Sequence, residues 1–314
     1  MAAPFPTLAS IRAGGKAAVA RALALVETAE ADDRLAALLD EAAADPRGLV
    51  LGLTGPPGVG KSTLTGALIQ AARRQGRMVA VIAVDPSSQF TGGALLGDRT
   101  RLRTDPEDSG IFVRSMAARD RLGGLSDHAV AVIVLMRACY DLVIVESVGV
   151  GQSEGDIADV SDLVLLLIQP GSGDSLQFMK AGIMELPDLV AVTKADMGEA
   201  ARRAAADVEG ALTLSARGEG ADAVGVHLVS ATTGQGFDGL SDAIEMRFAK
   251  LKADGGISSR RRDQAVRWVR DRIRLRFGSE GLATIDVDRA MSRAGGAFRA
   301  IADLSHELRR RLLT

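Results

Sequence analysis

The feature that most restricts this 314-residue chain is a succession of short, continuously apolar runs. They fall at Leu49–Leu53, Met78–Val84, Ile111–Val113, Leu142–Val145, Leu163–Ile168, Leu189–Val192 and Val226–Val229. Ala- and Leu-rich stretches of helical length separate most of them. A strand with one wet face alternates apolar and polar residues, whereas a strand apolar throughout is buried on both faces. Such strands alternating with helices predict a doubly wound, mostly parallel α/β sheet spanning about residues 48–250.

The flanks read differently. Lys16–Ala44 carries Leu23, Val26, Leu35, Leu38 and Leu39 in an Ala-rich background. That is the pattern of one or two amphipathic helices, broken near Asp32–Asp33 and stopped by Pro46. After the last strand, Ala253–Ser259 (ADGGISS) reads as a linker, and Arg260–Phe277 opens a basic helix with Val266, Val269, Ile273 and Phe277 along one face. The expected organisation is a helical extension at 1–47, a core at 48–252 and a helical arm at 253–314. Net charge is −2 but segregated: from residue 258 onward 14 arginines stand against 7 acidic residues, a surplus of +7 that leaves −9 elsewhere. The arm is either a solvated basic face over an apolar stripe or an arm for dimerisation or docking.

Composition closes several routes. The single Cys139 rules out an intramolecular disulfide and argues against a thiolate zinc site, and the scattered His128, His227 and His306 do not make a His-rich one. The near-neutral total gives no pull toward nucleic acid or membrane. Aromatics, at 3%, are too few for the stacking platforms of single-strand binders. The N-terminal MAAPFPTLASIRAGGKAA lacks the basic cluster and apolar core of a secretory signal. The longest apolar run, Ala129–Met136, has eight residues, against ~20 for a membrane span. A soluble, cytoplasmic protein with neither nucleic-acid nor membrane partners is expected.

Gly55-Pro56-Pro57-Gly58-Val59-Gly60-Lys61-Ser62, followed by Thr63, fits G-x-x-x-x-G-K-S/T between a predicted strand and a predicted helix. Glycines let the backbone curl around phosphate oxygens, and the helix N-terminus adds a positive dipole end. Lys61 would neutralise β/γ-phosphate charge and Ser62 would ligate Mg²⁺. The segment predicts a bound nucleoside triphosphate.

Two further strands end in acids, at Asp85-Pro86-Ser87-Ser88 and at Glu146-Ser147-Val148-Gly149. An acid at the carboxyl end of a buried strand faces the crevice where ligands sit. Glu146-x-x-Gly149 has the form of a nucleotide-switch loop: the carboxylate would hold Mg²⁺ directly or through water, and the Gly149 amide would sense the γ-phosphate. Asp85 is either a metal-site acid or a turn and helix-cap former. Asp98, in the Gly-rich segment Thr91–Arg103, is a further metal candidate.

Leu189–Val192 runs into Thr193-Lys194-Ala195-Asp196, which resembles the N-K-x-D motif of GTPases. There the Asp accepts from guanine N1–H and the 2-amino group, a donor pair adenine lacks. Ser230-Ala231-Thr232 resembles the companion S-A-x loop, whose amide approaches guanine O6. Thr193 stands where Asn is usual, and loss of that amide is expected to loosen both base binding and its tie to the phosphate loop.

The segments GPPGVGKST (55–63), AVDPSS (83–88), GGALLGDRTRL (92–102), RSMAARDRLGG (114–124), ESVGVGQSE (146–154), TKAD (193–196) and VSATTGQG (229–236) resemble the methylmalonyl-CoA mutase-associated GTPases of the MeaB/ArgK type. The resemblance covers about residues 48–250, and the helical flanks also suit that family. It implies a SIMIBI-type P-loop GTPase core with helical extensions, in a homodimer joined largely through the C-terminal arm. It further implies slow, Mg²⁺-dependent conversion of GTP to GDP, coupled to delivery and protection of adenosylcobalamin in a B12-dependent acyl-CoA mutase, the cobalamin being met through that client. The family's third switch matches Gly173–Lys180 (GDSLQFMK), so Asp174, Gln177 and Lys180 would respond to nucleotide or client; as ordinary helix-start residues they would cap and solvate instead. Ser147, Ala118 and Asp120-Arg121 depart from the residues common in the family.

Phosphoryl transfer needs positioning and charge neutralisation, which Lys61, Mg²⁺ and the loop amides would supply. The residue after Gly149 is Val150, not Gln, and Gln152 is the nearby candidate for orienting water, so unaided hydrolysis should be slow. Two other functions compete: a metallochaperone GTPase for a nickel or other metalloenzyme, which the scarcity of Cys and His disfavours, and an ATP-dependent kinase linked to amino-acid transport, which Asp196 disfavours.

Overall fold

The computed structural model describes residues 4–28, 32–85, 104–105, 107–117, 127–147, 153–171, 183–214 and 222–312. In chain order their strands are β1 (Leu49–Thr54), β2 (Val79–Asp85), β3 (Ile111–Ala117), β4 (Leu142–Glu146), β5 (Leu163–Ile168), β6 (Leu189–Val192) and β7 (Gly225–Leu228). Their helices are α1 (Leu8–Ala13), α2 (Gly15–Thr28), α3 (Asp33–Ala44), α4 (Lys61–Arg74), α5 (Asp127–Cys139), α6 (Ser153–Ala158), α7 (Glu199–Leu214), α8 (Phe237–Ala253), α9 (Gly256–Ala283, interrupted at Gly278), α10 (Val287–Ala294) and α11 (Ala297–Leu312). The chain divides into two compact units, one of residues 49–126 and 141–255, the other of residues 1–48, 127–140 and 256–314.

The first unit is the expected doubly wound α/β sheet. Its strands run in the order β3-β2-β4-β1-β5-β6-β7, each pairing parallel. The reason the strands are apolar throughout is visible in β5. Leu165 and Leu167 join a core with Leu64, Leu68 and Ile69 of α4 and Leu240, Ile244 and Phe248 of α8. Leu166 and Ile168, on the opposite face, pack with Val190 and with Val208 of α7. The edge strand β3 extends to Ala117, beyond the apolar run ending at Val113, because an edge tolerates the half-exposed Arg114 and Ser115.

One device recurs at the amino ends of the strands. Asp141, Asp162 and Asp188 each precede Leu-Val at the start of β4, β5 and β6. The Asp162 amide donates to Val50 O at 2.9 Å while its carboxylate accepts from Val50 N at 2.7 Å. Asp188 does the same with Val164, at 2.9 and 2.8 Å, and Asp141 with Met78, at 3.0 and 2.7 Å. Each carboxylate satisfies a strand-start amide before the ladder supplies a carbonyl, which fixes the register at the end of the sheet away from the strands' carboxyl tips.

In the second unit the one or two helices expected over Lys16–Ala44 are two, α2 and α3, preceded by the short α1. Thr7, Asp32 and Asp286 cap α1, α3 and α10 through their side chains. Helix α11 takes its cap from α3: Asp40 accepts from the Phe298 and Arg299 amides at 3.0 and 2.9 Å. Burial raises the Asp40 carboxyl above its usual range, and the two amides offset this only in part. The apolar face expected on the basic helix is present: Val269 and Ile273 are buried with Val287, Ile301 and Leu304, and Val266 and Phe277 pack against them. Ala253–Ser259 spans the boundary between the two units, which falls between Gly255 and Gly256. Helix α8 runs to Ala253 and α9 begins at Gly256, so the interruption is the turn at Asp254–Gly255, where Gly255 takes a positive φ. Helix α5 packs against α2 and α3 although it lies between two strands in sequence. Cys139 at its end is buried, and burial pushes its thiol up to about 11, leaving it an unreactive core group. Among the described residues no helix is long and apolar enough to cross a membrane.

Candidate functional site

Polar side chains that face one another gather at the carboxyl ends of β1, β4, β5 and β6. From Thr54 the chain turns through residues 55–60 into α4. Gly60, just before the helix, has φ 99° and ψ 21°, a left-handed conformation costly for other residues, and no side chain caps the helix there. Gly55 runs so close to β5 that a Cβ would lie 2.3 Å from Leu167 O. The loop is therefore built of backbone at the N-terminus of α4, the arrangement found at anion-binding helix N-termini. Pro56 and Val59 are buried beneath it, while Pro57, Gly58 and Thr63 are exposed. Lys61 curls back so that Nζ donates to Gly55 O at 2.8 Å and Pro56 O at 3.1 Å. Its ammonium is thus fixed inside the loop at 7% exposure.

Glu146 ends β4 and reaches the same helix. Ser62 Oγ donates to its Oε1 at 2.7 Å, and Thr65 Oγ1 donates to its Oε2 at 2.9 Å. Ser147 N donates to Leu53 O at 3.0 Å and its hydroxyl to Thr54 Oγ1 at 3.2 Å, pinning the strand end beside the loop. Ser62 and Glu146 offer hard oxygen donors side by side. That set fits Mg²⁺, which takes one or two protein oxygens and completes its shell with water and phosphate. Among the described residues no group of three or more His, Cys, Asp and Glu could hold an ion. The backbone of Asp85 closes β2, adjacent to β4, with Ala83 in register with Glu146. Its side chain, and all of Asp98, Gly149, Val150, Gln152, Asp174, Gln177 and Lys180, lie outside the described residues, as do Ala118, Asp120 and Arg121.

The third group follows β6. The Thr193 amide donates to Ile168 O at 2.7 Å. Its hydroxyl lies 2.8 Å from Val59 O and 3.1 Å from Ile168 O. Thr193 therefore keeps a tie to the phosphate loop, its buried hydroxyl donating to the Val59 carbonyl. Lys194 is the one non-glycine residue with positive φ among the described residues, and its Nζ donates to Gln169 Oε1 at 2.5 Å. Asp196 is exposed on the short 3-10 turn Ala195–Met197. Ala195 N donates to Val229 O at 3.2 Å, joining this loop to the next. There Ser230 is buried, donates from N to Gln235 O at 2.8 Å and accepts from Thr233 N at 3.3 Å; Ala231 is half-buried and Thr232 exposed.

The structure thus brings Gly55–Thr63, Glu146, Lys194, Asp196 and Ser230–Thr232 onto the carboxyl side of one sheet. It adds Thr65 and Gln169, which motif matching missed. Thr65 had a legible signal, since it follows Ser62 by three residues and shares its helix face. Gln169 had only its position as the first polar residue after a wholly apolar strand.

The family described as Methylmalonyl Co-A mutase-associated GTPase MeaB matches residues 19–283. GTPase ArgK of Escherichia coli (strain K12) is 38% identical over 285 residues, covering 89% of this chain and 86% of its own. The mouse (Mus musculus) protein named Methylmalonic aciduria type A homolog, mitochondrial, is 38% identical over 222 residues, 70% of this chain and 54% of its own. A crystal structure described as LAO/AO transport system kinase matches with a TM-score of 0.68 at 30% identity, covering 98% of this chain and 96% of that one.

Proposed function

The chain belongs to the methylmalonyl-CoA mutase-associated GTPase MeaB family, and from that premise we propose that this GTPase is a chaperone that delivers adenosylcobalamin to, and protects, a B12-dependent acyl-CoA mutase. The observation that carries the nucleotide side of this reading is the convergence of the backbone loop, buried Lys61 and the Ser62–Glu146 pair beside a base loop tied to Val59. The family description carries the mutase side.

In this mechanism the loop amides and Lys61 take the β- and γ-phosphates, and Asp196 reads guanine by accepting from its N1–H and 2-amino group. Ser62 and Glu146 hold Mg²⁺, which when bound neutralises charge on the β- and γ-phosphate oxygens. Asp85 and Asp98 are further proposed acids of that site, and Gly149, Gln177 and Lys180 the proposed switch residues. The C-terminal arm is the proposed homodimer contact, and the cytoplasm the proposed compartment. Slow unaided turnover follows if the client completes the alignment of water.

The structural relative described as LAO/AO transport system kinase favours a second reading, an ATP-dependent kinase of amino-acid transport. Two measurements separate them. The chaperone reading expects GTP and GDP to bind at least ~100-fold more tightly than ATP and ADP, a difference of about 2.7 kcal/mol. It also expects a B12-dependent mutase to co-elute with the chain in a non-hydrolysable GTP analogue and to raise its GTPase rate. Preference for ATP with phosphate passed to an acceptor would support the kinase instead; GTP selectivity with no effect of any mutase would leave the GTPase and remove the chaperone role.

A further inference from the structure

Thr65 lies on α4, one helical turn beyond Lys61, and is fully buried. A threonine inside a helix usually returns its hydroxyl proton to the carbonyl four residues earlier or to solvent. This one is directed across to β4, onto Glu146 Oε2 at 2.9 Å. The other carboxylate oxygen, Oε1, faces Ser62 Oγ at 2.7 Å. The two oxygens of one side chain are thus sorted: one is committed to the interior of the sheet–helix contact, the other is presented at the mouth of the phosphate loop.

We infer that Thr65 is a positioning residue for Mg²⁺ binding, holding Glu146 so that Oε1 alone serves the ion. This rests on the nucleotide-binding reading above. A glutamate turns about three side-chain bonds and needs a second anchor if its carboxylate is to stay in one plane. Ser62 cannot be that anchor alone, because its oxygen is itself proposed to bind the ion. A hydroxyl has one proton and two lone pairs, so Ser62 can keep its bond to Oε1 while turning a lone pair to the metal. Thr65 has no such second duty and holds Oε2 unchanged with or without the ion. Mg²⁺ demands near-ideal octahedral geometry, so a carboxylate free to rotate binds it less well. Hydrogen-bond partners of metal-holding groups are typically worth ~10–100-fold in metal affinity.

The test uses the full-length chain and a fluorescent GDP. Its dissociation is followed in EDTA and across a Mg²⁺ titration, for the wild type, Thr65→Val and Thr65→Ser. Valine keeps the shape and removes the donor; serine keeps the donor. The expected result is a Mg²⁺ midpoint raised ~10-fold or more in Thr65→Val, near wild type in Thr65→Ser, with GDP release in EDTA alike in all three. A Val variant with the wild-type midpoint, a Ser variant that behaves like Val, or a loss of GDP affinity equal with and without Mg²⁺ each overturns the role of Thr65 and leaves the nucleotide site standing. Wild-type GDP release that ignores Mg²⁺ overturns the metal site itself, and Thr65's role with it.

Discussion

Cutting the tie between the base loop and the phosphate loop is the sharpest test of how this site grips a nucleotide. Thr193→Val removes one buried hydroxyl and changes little else, since the side chain keeps its branched shape at a position 6% exposed. The hydroxyl donates to Val59 O at 2.8 Å, with Ile168 O at 3.1 Å as the alternative acceptor. Ile168 O keeps the Thr193 amide at 2.7 Å, so the loss falls on Val59. A buried hydrogen bond contributes about 0.5–1.5 kcal/mol net, and a carbonyl left without its donor costs ~1–3 kcal/mol. If half of a ~2.7 kcal/mol loss falls on the bound state, nucleotide affinity drops about tenfold. The reason to assign it there is that, in the proposed function, the two loops grip opposite ends of one nucleotide. The assay is GDP dissociation by stopped flow alongside thermal unfolding. Faster release by about tenfold in Thr193→Val, with wild-type release in Thr193→Ser, is expected. A melting temperature lowered by ~2–4 °C with unchanged release would refute the reasoning, because the bond would then hold the fold and not the ligand.

Two further outcomes concern the frame. Asp162→Ala strands the fully buried Val50 amide, so urea unfolding should show a loss of ~1–3 kcal/mol; Asp162→Asn keeps a carbonyl acceptor and should lose clearly less, and equal losses would discard the register clamp. In the second unit, a Cβ on Gly296 would lie 2.2 Å from the Asp40 carboxyl, so Gly296→Ala should dislodge the cap of α11 and cost ~0.5–2 kcal/mol. In an Asp40→Ala background the same substitution should cost little, and additive losses would mean the clash is not with the cap.

The fold was legible because its strands are buried on both faces and so advertise themselves as unbroken apolar runs. Legibility failed where a rule of composition met a local exception. Arg114 and Ser115 ended the third run early, because composition does not say that β3 is an edge with one partner. The ADGGISS stretch does hold the boundary between the two units, but composition did not show that helices close in on it from both sides, leaving a two-residue turn. At the site, the phosphate loop and Glu146 could be read because both follow strands and obey a spacing. The bond of Thr193 to Val59 was not legible, because a motif records the identity of a residue and not the bond it makes, and a hydroxyl can serve as donor where an amide is usual. Asp141, Asp162 and Asp188 were in plain view as a thrice-repeated Asp-Leu-Val, but nothing short of the pairing reveals that each carboxylate closes on a neighbouring strand.

Those aspartates and the site residues divide the sheet by purpose, and the division has a physical basis. In a parallel sheet with apolar faces, polar side chains find partners only where the ladder stops. At the amino ends the partners are amides of adjacent strands, as Asp162 with Val50 and Asp188 with Val164. At the carboxyl ends they belong to the phosphate loop and its helix, as Glu146 with Ser62 and Thr65, and Thr193 with Val59. The first set can stabilise the fold without touching a ligand. The second set lies in the crevice beyond the strand tips, where a doubly wound sheet binds its ligand, so its bonds change what the ligand meets. The two ends should therefore separate experimentally. Below its lowered melting temperature, an Asp162→Ala chain should hold GDP with wild-type affinity, whereas Thr193→Val should hold it less well at any temperature at which both are folded. Weakened GDP binding in the Asp162 variant would mean that register at the amino ends is transmitted through β5 to the loop at Gly55, and the division would fail.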